Sequence, residues 1–125
     1  MTSTDISVSF LNSFSTGDPI HVASHVTDDF ENNQMGLLGE KIKGKTAYIE
    51  RLGSFLKKFR ELRYCASNVI AEADKVAIAY DMNCLVDGHK ISMQGVMMIS
   101  VSNGLIRERC DYWDGLSYLR QTGIV

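Results

Sequence analysis

Val76–Asp114, VAIAYDMNCLVDGHKISMQGVMMISVSNGLIRERCDYWD, sets the architecture of this chain. Two dipeptides, Asp87-Gly88 and Asn103-Gly104, divide it into three β-prone runs, and such pairs favour two-residue turns between antiparallel strands. A two-residue loop fixes which residues face each other. Val86 should stand opposite His89, which sets Asp81 against Gln94 and Ala79 against Val96. On the second hairpin Ser102 should stand opposite Leu105, setting Gln94 against Trp113, Val96 against Asp111 and Met98 against Arg109. Side chains alternate across a strand, so one face is expected to carry Ala79, Asp81, Asn83, Gln94, Val96, Met98, Arg109, Asp111 and Trp113. The other should carry Ile78, Tyr80, Met82, Ile91, Met93, Met97, Ile99, Cys110 and Tyr112. The first face is mixed and suits either an exposed surface or a pocket lining; the second is nearly apolar and needs a cover.

The flanking sequence supplies helices. Ile6, Phe10, Leu11 and Phe14 recur at helical spacing after Ser3 or Thr4 as a cap, and the helix ends near Gly17. Asp18-Pro19 restarts a second, short helix to about Val26, since proline tolerates the first helical position and aspartate can cap the free amides. Phe30–Met35 reads as a brief strand whose Asn32, Asn33 and Gln34 need partners if buried. The glycines of GLLGEKIKGK lack the spacing of a phosphate-binding loop. Thr46–Phe59 is the strongest helix, with Tyr48, Ile49, Leu52, Phe55, Leu56 and Phe59 in one apolar stripe. Leu62–Ala71 reads as a strand, and Gly115–Val125 as a loop with one helical turn. Three helices preceding an antiparallel meander of at least four strands make the class α+β.

With 125 residues, 45% of them hydrophobic, the chain is sized for one domain, residues 1–125, around one core. A net charge of −2 gives no electrostatic reason to bind nucleic acid. The Lys57, Lys58, Arg60, Arg63 cluster suits the solvated end of a helix. MTSTDISVSF lacks the basic region and apolar run of a secretory signal, and no stretch is long enough to span a membrane. Cys65, Cys84 and Cys110 have no metal-ligand spacing and sit in strand patterns, as small apolar residues in a reducing cytoplasm do. His21 and His25 are four apart on a helix, but no third ligand follows at convincing spacing, so no metal is expected.

The helical opening, HVTDDFEN before a loop, GKTAYIERLGSFL, GVMMISVSNGLI and above all ERCDYWDG resemble the nuclear-transport-factor-2-like superfamily. Within it, the match is to the SnoaL-like branch of polyketide cyclases and limonene-epoxide-hydrolase relatives. The resemblance implies a cone-shaped curved sheet wrapped around a long helix, as in a cystatin-like roll, enclosing a ligand pocket. It also implies a homodimer through the outer sheet face, on which Tyr80, Met82, Met93, Met97 and Tyr112 are expected. The epoxide-hydrolase pattern matches Asp111 and Asp81 as the two carboxylates and Asn32 as a water-holding asparagine. Ala79 stands where that pattern has arginine, and Phe30 where it has tyrosine. SnoaL-like cyclases need less, an acid/base aspartate near groups that steady an enolate.

The expected site therefore has Asp111 and Asp81 as catalytic carboxylates, with Asn32, Gln94, Arg109, Trp113, Val96, Met98 and His25 positioning an apolar, oxygen-bearing small molecule. No organic cofactor is implied. An unpaired buried carboxylate costs several kcal/mol, so enclosed aspartates argue for function. Arg109 can pair with Asp111 and favour its charged form, or leave it among Trp113, Val96 and Met98, where burial would raise its pKa; the sequence allows both. The expected activity is that of a cyclase, isomerase, dehydratase or hydrolase. A non-catalytic ligand-binding or dimerisation module of the same fold is the alternative.

Overall fold

The computed structural model describes all 125 residues, Met1–Val125. Helix α1 (Ser3–Ser13) is capped by Thr2, whose hydroxyl accepts from the Asp5 amide while the Asp5 carboxylate accepts from the Thr2 amide. Its apolar side buries Ile6, Phe10, Leu11 and, in the 3₁₀ turn that follows, Phe14. Helix α2 (Pro19–Ala23) starts at an Asp18 cap, as expected, but is only five residues long. Strand β1 (Val26–Gln34) then begins before Phe30, and β2 (Lys41–Lys43) pairs with it across a loop. Helix α3 (Lys45–Lys58) buries Tyr48 and Leu52.

The rest of the sheet is β3 (Arg60–Glu72), β4 (Lys75–Val86), β5 (His89–Ser102) and β6 (Leu105–Trp113), followed by α4 (Gly115–Gln121). The six strands lie in the order β2-β1-β6-β5-β4-β3 in a curved, unclosed sheet. Only β1 and β6 run parallel, which brings the start of the chain beside its end. The concave face receives α1 and α3, so the core is helix against sheet, and each fully buried leucine or phenylalanine there contributes about 1.5–3 kcal/mol. This is the expected α+β cone. No helix is long and apolar enough to cross a membrane.

Both turns form where expected. Asp87 and Gly88 have φ of 48° and 80°, and Asn103 and Gly104 of 50° and 80°, the paired positive values of a type I′ turn. The β4–β5 register is also the expected one, with Val86 facing His89 and Asp81 facing Gln94. On the second hairpin Ser102 faces Leu105, but Arg107 is then an extra residue on β6, between the pairs Val101–Ile106 and Ser100–Glu108. Past this bulge every β6 partner shifts by one: Ile99 faces Arg109, Met97 faces Asp111 and Gly95 faces Trp113.

The bulge turns β6 over. Arg109, Asp111 and Trp113 join Ile78, Tyr80, Met82, Met93, Met97 and Ile99 on the concave face, while Cys110 and Tyr112 move to the convex face with Asp81, Gln94, Val96 and Met98. The expected partition into a mixed inner face and a Met-rich outer face is therefore overturned. Tyr80, Met82, Met93 and Met97 are 0–5% exposed inside the cone and cannot form an outer interface; of the residues expected there, only Tyr112 is outside.

Past Trp113 the chain continues as α4, two turns of helix where a loop with a single helical turn was expected. Asp114 caps it by accepting from the Ser117 amide. Gln121 holds its far end on β5, its amide nitrogen donating to Ser92 O at 2.8 Å and its amide oxygen accepting from Ser92 N at 2.7 Å. One side chain thus satisfies ladder groups of β5 beyond the end of β6. Tyr118 and Leu119 of this helix thereby line a cavity between α3 and the sheet.

Candidate active site

A cavity of about 440 Å³ lies between α3 and the concave sheet face, within the range of small-molecule sites. Its lining is mostly apolar and rich in aromatic rings, among them Phe14, Tyr48, Phe55, Phe59, Tyr64, Tyr80, Trp113 and Tyr118. Arg51 and Lys58 of α3, with Glu40, contribute charge, and Glu40 pairs with Arg51.

Three buried polar residues, Asn32, Arg109 and Asp111, share one wall. Arg109 sits opposite Asn32 across the parallel β1–β6 pair and two residues before Asp111 on the same face. Its guanidinium donates to Asp111 Oδ2 and to Asn32 Oδ1, each at 3.1 Å. The Nε group points at Met97 Sδ at 3.4 Å, and the cation lies 5.6 and 5.5 Å from the rings of Phe10 and Phe14. Burial alone would lower the Arg109 pKa, but the Asp111 charge and the neighbouring tyrosines carry it above the usual arginine value.

The other carboxylate oxygen, Asp111 Oδ1, accepts from Tyr80 Oη at 2.7 Å. Tyr80 reaches it from β4 across the whole width of β5. Gly95 makes that crossing possible: a Cβ there would sit 2.4 Å from Tyr80 Oη and 2.7 Å from Tyr112 O. Burial, and after it the Asp111 charge, push the Tyr80 phenol well above the ordinary tyrosine value, so it stays a proton donor. Asp111 is thus a buried, charge-matched carboxylate with a hydroxyl on one oxygen and a guanidinium on the other.

Two residues that line the same cavity each carry a fully buried donor with no partner within the chain. The donors are Tyr48 Oη, on the first turns of α3, and Trp113 Nε1, at the end of β6.

The expected site residues divide. Asp111, Arg109, Asn32 and Trp113 line the cavity together. Asp81 and Gln94 lie on the convex face, hydrogen-bonded to each other at 3.0 Å. Val96 and Met98 are 39% and 44% exposed there. The expectation that these four line the pocket is corrected by the β6 bulge, which separates them from Asp111. His25 is not in the cavity either. Its Nδ1 lies 3.0 Å from Val22 O and its Nε2 3.0 Å from Ser9 Oγ, while the ring packs on Phe10 and His21. That is a satisfied histidine beneath α1.

Tyr80, Tyr48 and Tyr64 were not among the expected site residues. Tyr80 was assigned to the wrong face, and Tyr48 was read as part of an apolar stripe. A glycine inside a strongly β-prone run, Gly95, was the available signal that another group comes close to the backbone there.

A family model described as SnoaL-like polyketide cyclase matches residues 5–122. No curated protein matches the chain. Among solved structures, a hypothetical protein with a ketosteroid isomerase-like fold from Catenulispora acidiphila is 14% identical with a TM-score of 0.88, over 98% of this chain and 95% of that one. A phenazine biosynthesis-related protein from Pseudomonas aeruginosa is 14% identical with a TM-score of 0.88, over 98% and 82%. An epoxide hydrolase of limonene-epoxide-hydrolase type from M. tuberculosis is 17% identical with a TM-score of 0.83, over 97% and 92%. At these identities the likeness is one of fold.

Proposed function

The chain belongs to the SnoaL-like polyketide cyclase family, and from that premise we propose that it is a cofactor-independent enzyme moving protons on an apolar, oxygen-bearing small molecule, with Asp111 as the acid/base group. The observation that carries this is the buried carboxylate in the wall of an aromatic cavity, held by Tyr80 on one oxygen and Arg109 on the other. A carboxylate positioned by a donor on each oxygen is pre-oriented toward the space they enclose, and proton transfer by such a group contributes about 10²–10⁴-fold in rate.

Enolate chemistry fits best. Asp111 takes a proton from carbon next to a carbonyl, and the C–H electron pair moves onto the carbonyl oxygen as an enolate. In an isomerisation the proton returns from Asp111 to another carbon. In an aldol-type cyclisation the enolate carbon adds to a second carbonyl of the same molecule, whose oxygen then takes the proton from Asp111. Asp81 has no part in either route, because it faces away from the cavity. Arg109 and Asn32 act through Asp111 as positioning residues.

The test is solvent deuterium exchange at the acidic carbon of a bicyclic ketone such as β-tetralone, followed by NMR. The wild-type protein should accelerate exchange above buffer and Asp111→Asn should not. Equal rates for the two proteins would defeat the proposal. A second reading, a non-catalytic ligand-binding module, is favoured by one observation: both oxygens of Asp111 are already engaged. Tight ketone binding with no exchange at all would select it.

The same proposal extends to assembly and compartment. The convex face exposes Ile70, Val96, Met98 and Tyr112, and a second copy of the chain would cover them. A dimer by light scattering that falls to a monomer in Met98→Asp supports this; a wild-type monomer refutes it. Cys65 is exposed as a free thiol, which suits the cytoplasm.

A further inference from the structure

We infer that Tyr48 and Trp113 are the ligand-recognising donors of this cavity, and that its ligand therefore carries acceptor oxygens directed at two elements, one at α3 and one at β6. The inference rests on the cavity being a ligand site, but not on any reaction occurring there.

Buried N–H and O–H groups are nearly always paired, because an unpaired one forfeits its bonds to water without replacement. Tyr48 breaks this rule: the residue is 2% exposed and its hydroxyl has no partner in the chain. Trp113 breaks it in the same cavity with its fully buried indole nitrogen. Neither ring is loosely held. Tyr48 packs edge-on against Phe30 at 4.7 Å, and Trp113 against Tyr118 at 6.2 Å.

The ionic cluster does not take up these donors. Asp111 is bonded to Tyr80 and Arg109, and Asn32 Oδ1 to Arg109. Tyr48 lies near enough to feel both charges; burial first, then Arg109 in opposition and Asp111 in support, leave its phenol well above the ordinary value and hence fully protonated. An indole N–H only donates. Two donors that can give and have nothing to give to, one on α3 and one on β6, select for acceptors. Carbonyl and ether oxygens on a flat ring system meet that requirement; a hydrocarbon or an amine does not.

The recognition is read with two probes of similar shape, chromone, which carries a carbonyl and a ring oxygen, and naphthalene, which carries neither. Calorimetric Kd values are compared for wild type and Tyr48→Phe. The expected result is that the preference for chromone over naphthalene falls about tenfold in Tyr48→Phe, the scale of one unmade hydrogen bond to a buried donor. Its melting temperature should be equal to or above wild type, because the substitution removes a hydroxyl that nothing in the chain satisfies. Trp113 is the only tryptophan, so its indole proton is a single NMR signal; it should move downfield with chromone and not with naphthalene. An unchanged preference in Tyr48→Phe, a lowered melting temperature, or an indole proton that responds alike to both probes would overturn the inference. None of these readouts involves turnover. If Asp111→Asn abolishes exchange while Tyr48→Phe keeps the wild-type preference, the donor assignment falls alone; if the preference falls but no ketone exchanges, the acid/base reading falls alone.

Discussion

Asp111 and Asp81 are the same residue type on the same sheet, yet they live on opposite sides of it. Asp111 is 3% exposed, its charge is matched by Arg109 and its other oxygen accepts from Tyr80; Asp81 lies on the convex face with only Gln94 as a side-chain partner. The difference is made by one residue, Arg107, which adds a step to β6 and turns Asp111 inward. The pleat, not the residue type, therefore decides which carboxylate reaches the cavity.

The largest effect should come from separating the inner pair. Arg109→Ala leaves a buried, uncompensated carboxylate and is expected to cost about 3–5 kcal/mol in urea unfolding. Asp81→Ala should stay within about 0.5 kcal/mol. Similar losses from the two would erase the contrast between the faces.

Alkaline unfolding sharpens it further. Tyr48, Tyr64 and Tyr80 all have raised pKa values, in each case chiefly from burial. The folded state thus keeps phenolic protons that the unfolded chain releases near pH 10, so stability is intact below that pH and falls above it. Three such groups give a slope of about 4 kcal/mol per pH unit, and Tyr80→Phe should reduce it by about a third. A slope unchanged by that substitution would place the Tyr80 hydroxyl in water.

Gly95→Val is next, since its side chain would occupy the space of the Tyr80 hydroxyl. Overpacking of this kind costs about 1–3 kcal/mol, and ketone exchange should fall with it. The mildest is Gln121→Ala, which frees α4 from Ser92 at a cost of about 1 kcal/mol and leaves the Asp111 cluster intact. Loss of exchange in this variant without loss of ligand affinity would show that α4 does more than line the cavity.

Much of this was legible in the chain. Turns at Asp87-Gly88 and Asn103-Gly104, the apolar stripe of α3, the Asp18-Pro19 restart and the membership implied by ERCDYWDG all depend on local chemistry, which a sequence displays directly. The facing of Arg109, Asp111 and Trp113 did not follow, because a bulge of one residue leaves no mark in composition and reverses every residue beyond it. Asn32 was readable as a polar group in need of a partner, but its partner Arg109 lies across the parallel β1–β6 pair, a contact no short-range pattern encodes. α4 was read as a single turn because none of its seven residues is buried, which leaves its helical pattern weak.

The central claim is that one of the two sheet aspartates moves protons and the other does not. Deuterium exchange into β-tetralone by Asp111→Asn and by Asp81→Asn, measured side by side, tests it most directly. The expected result is a loss of at least about a hundredfold in the first and a wild-type rate in the second. Equal rates, or a loss confined to Asp81→Asn, would contradict it.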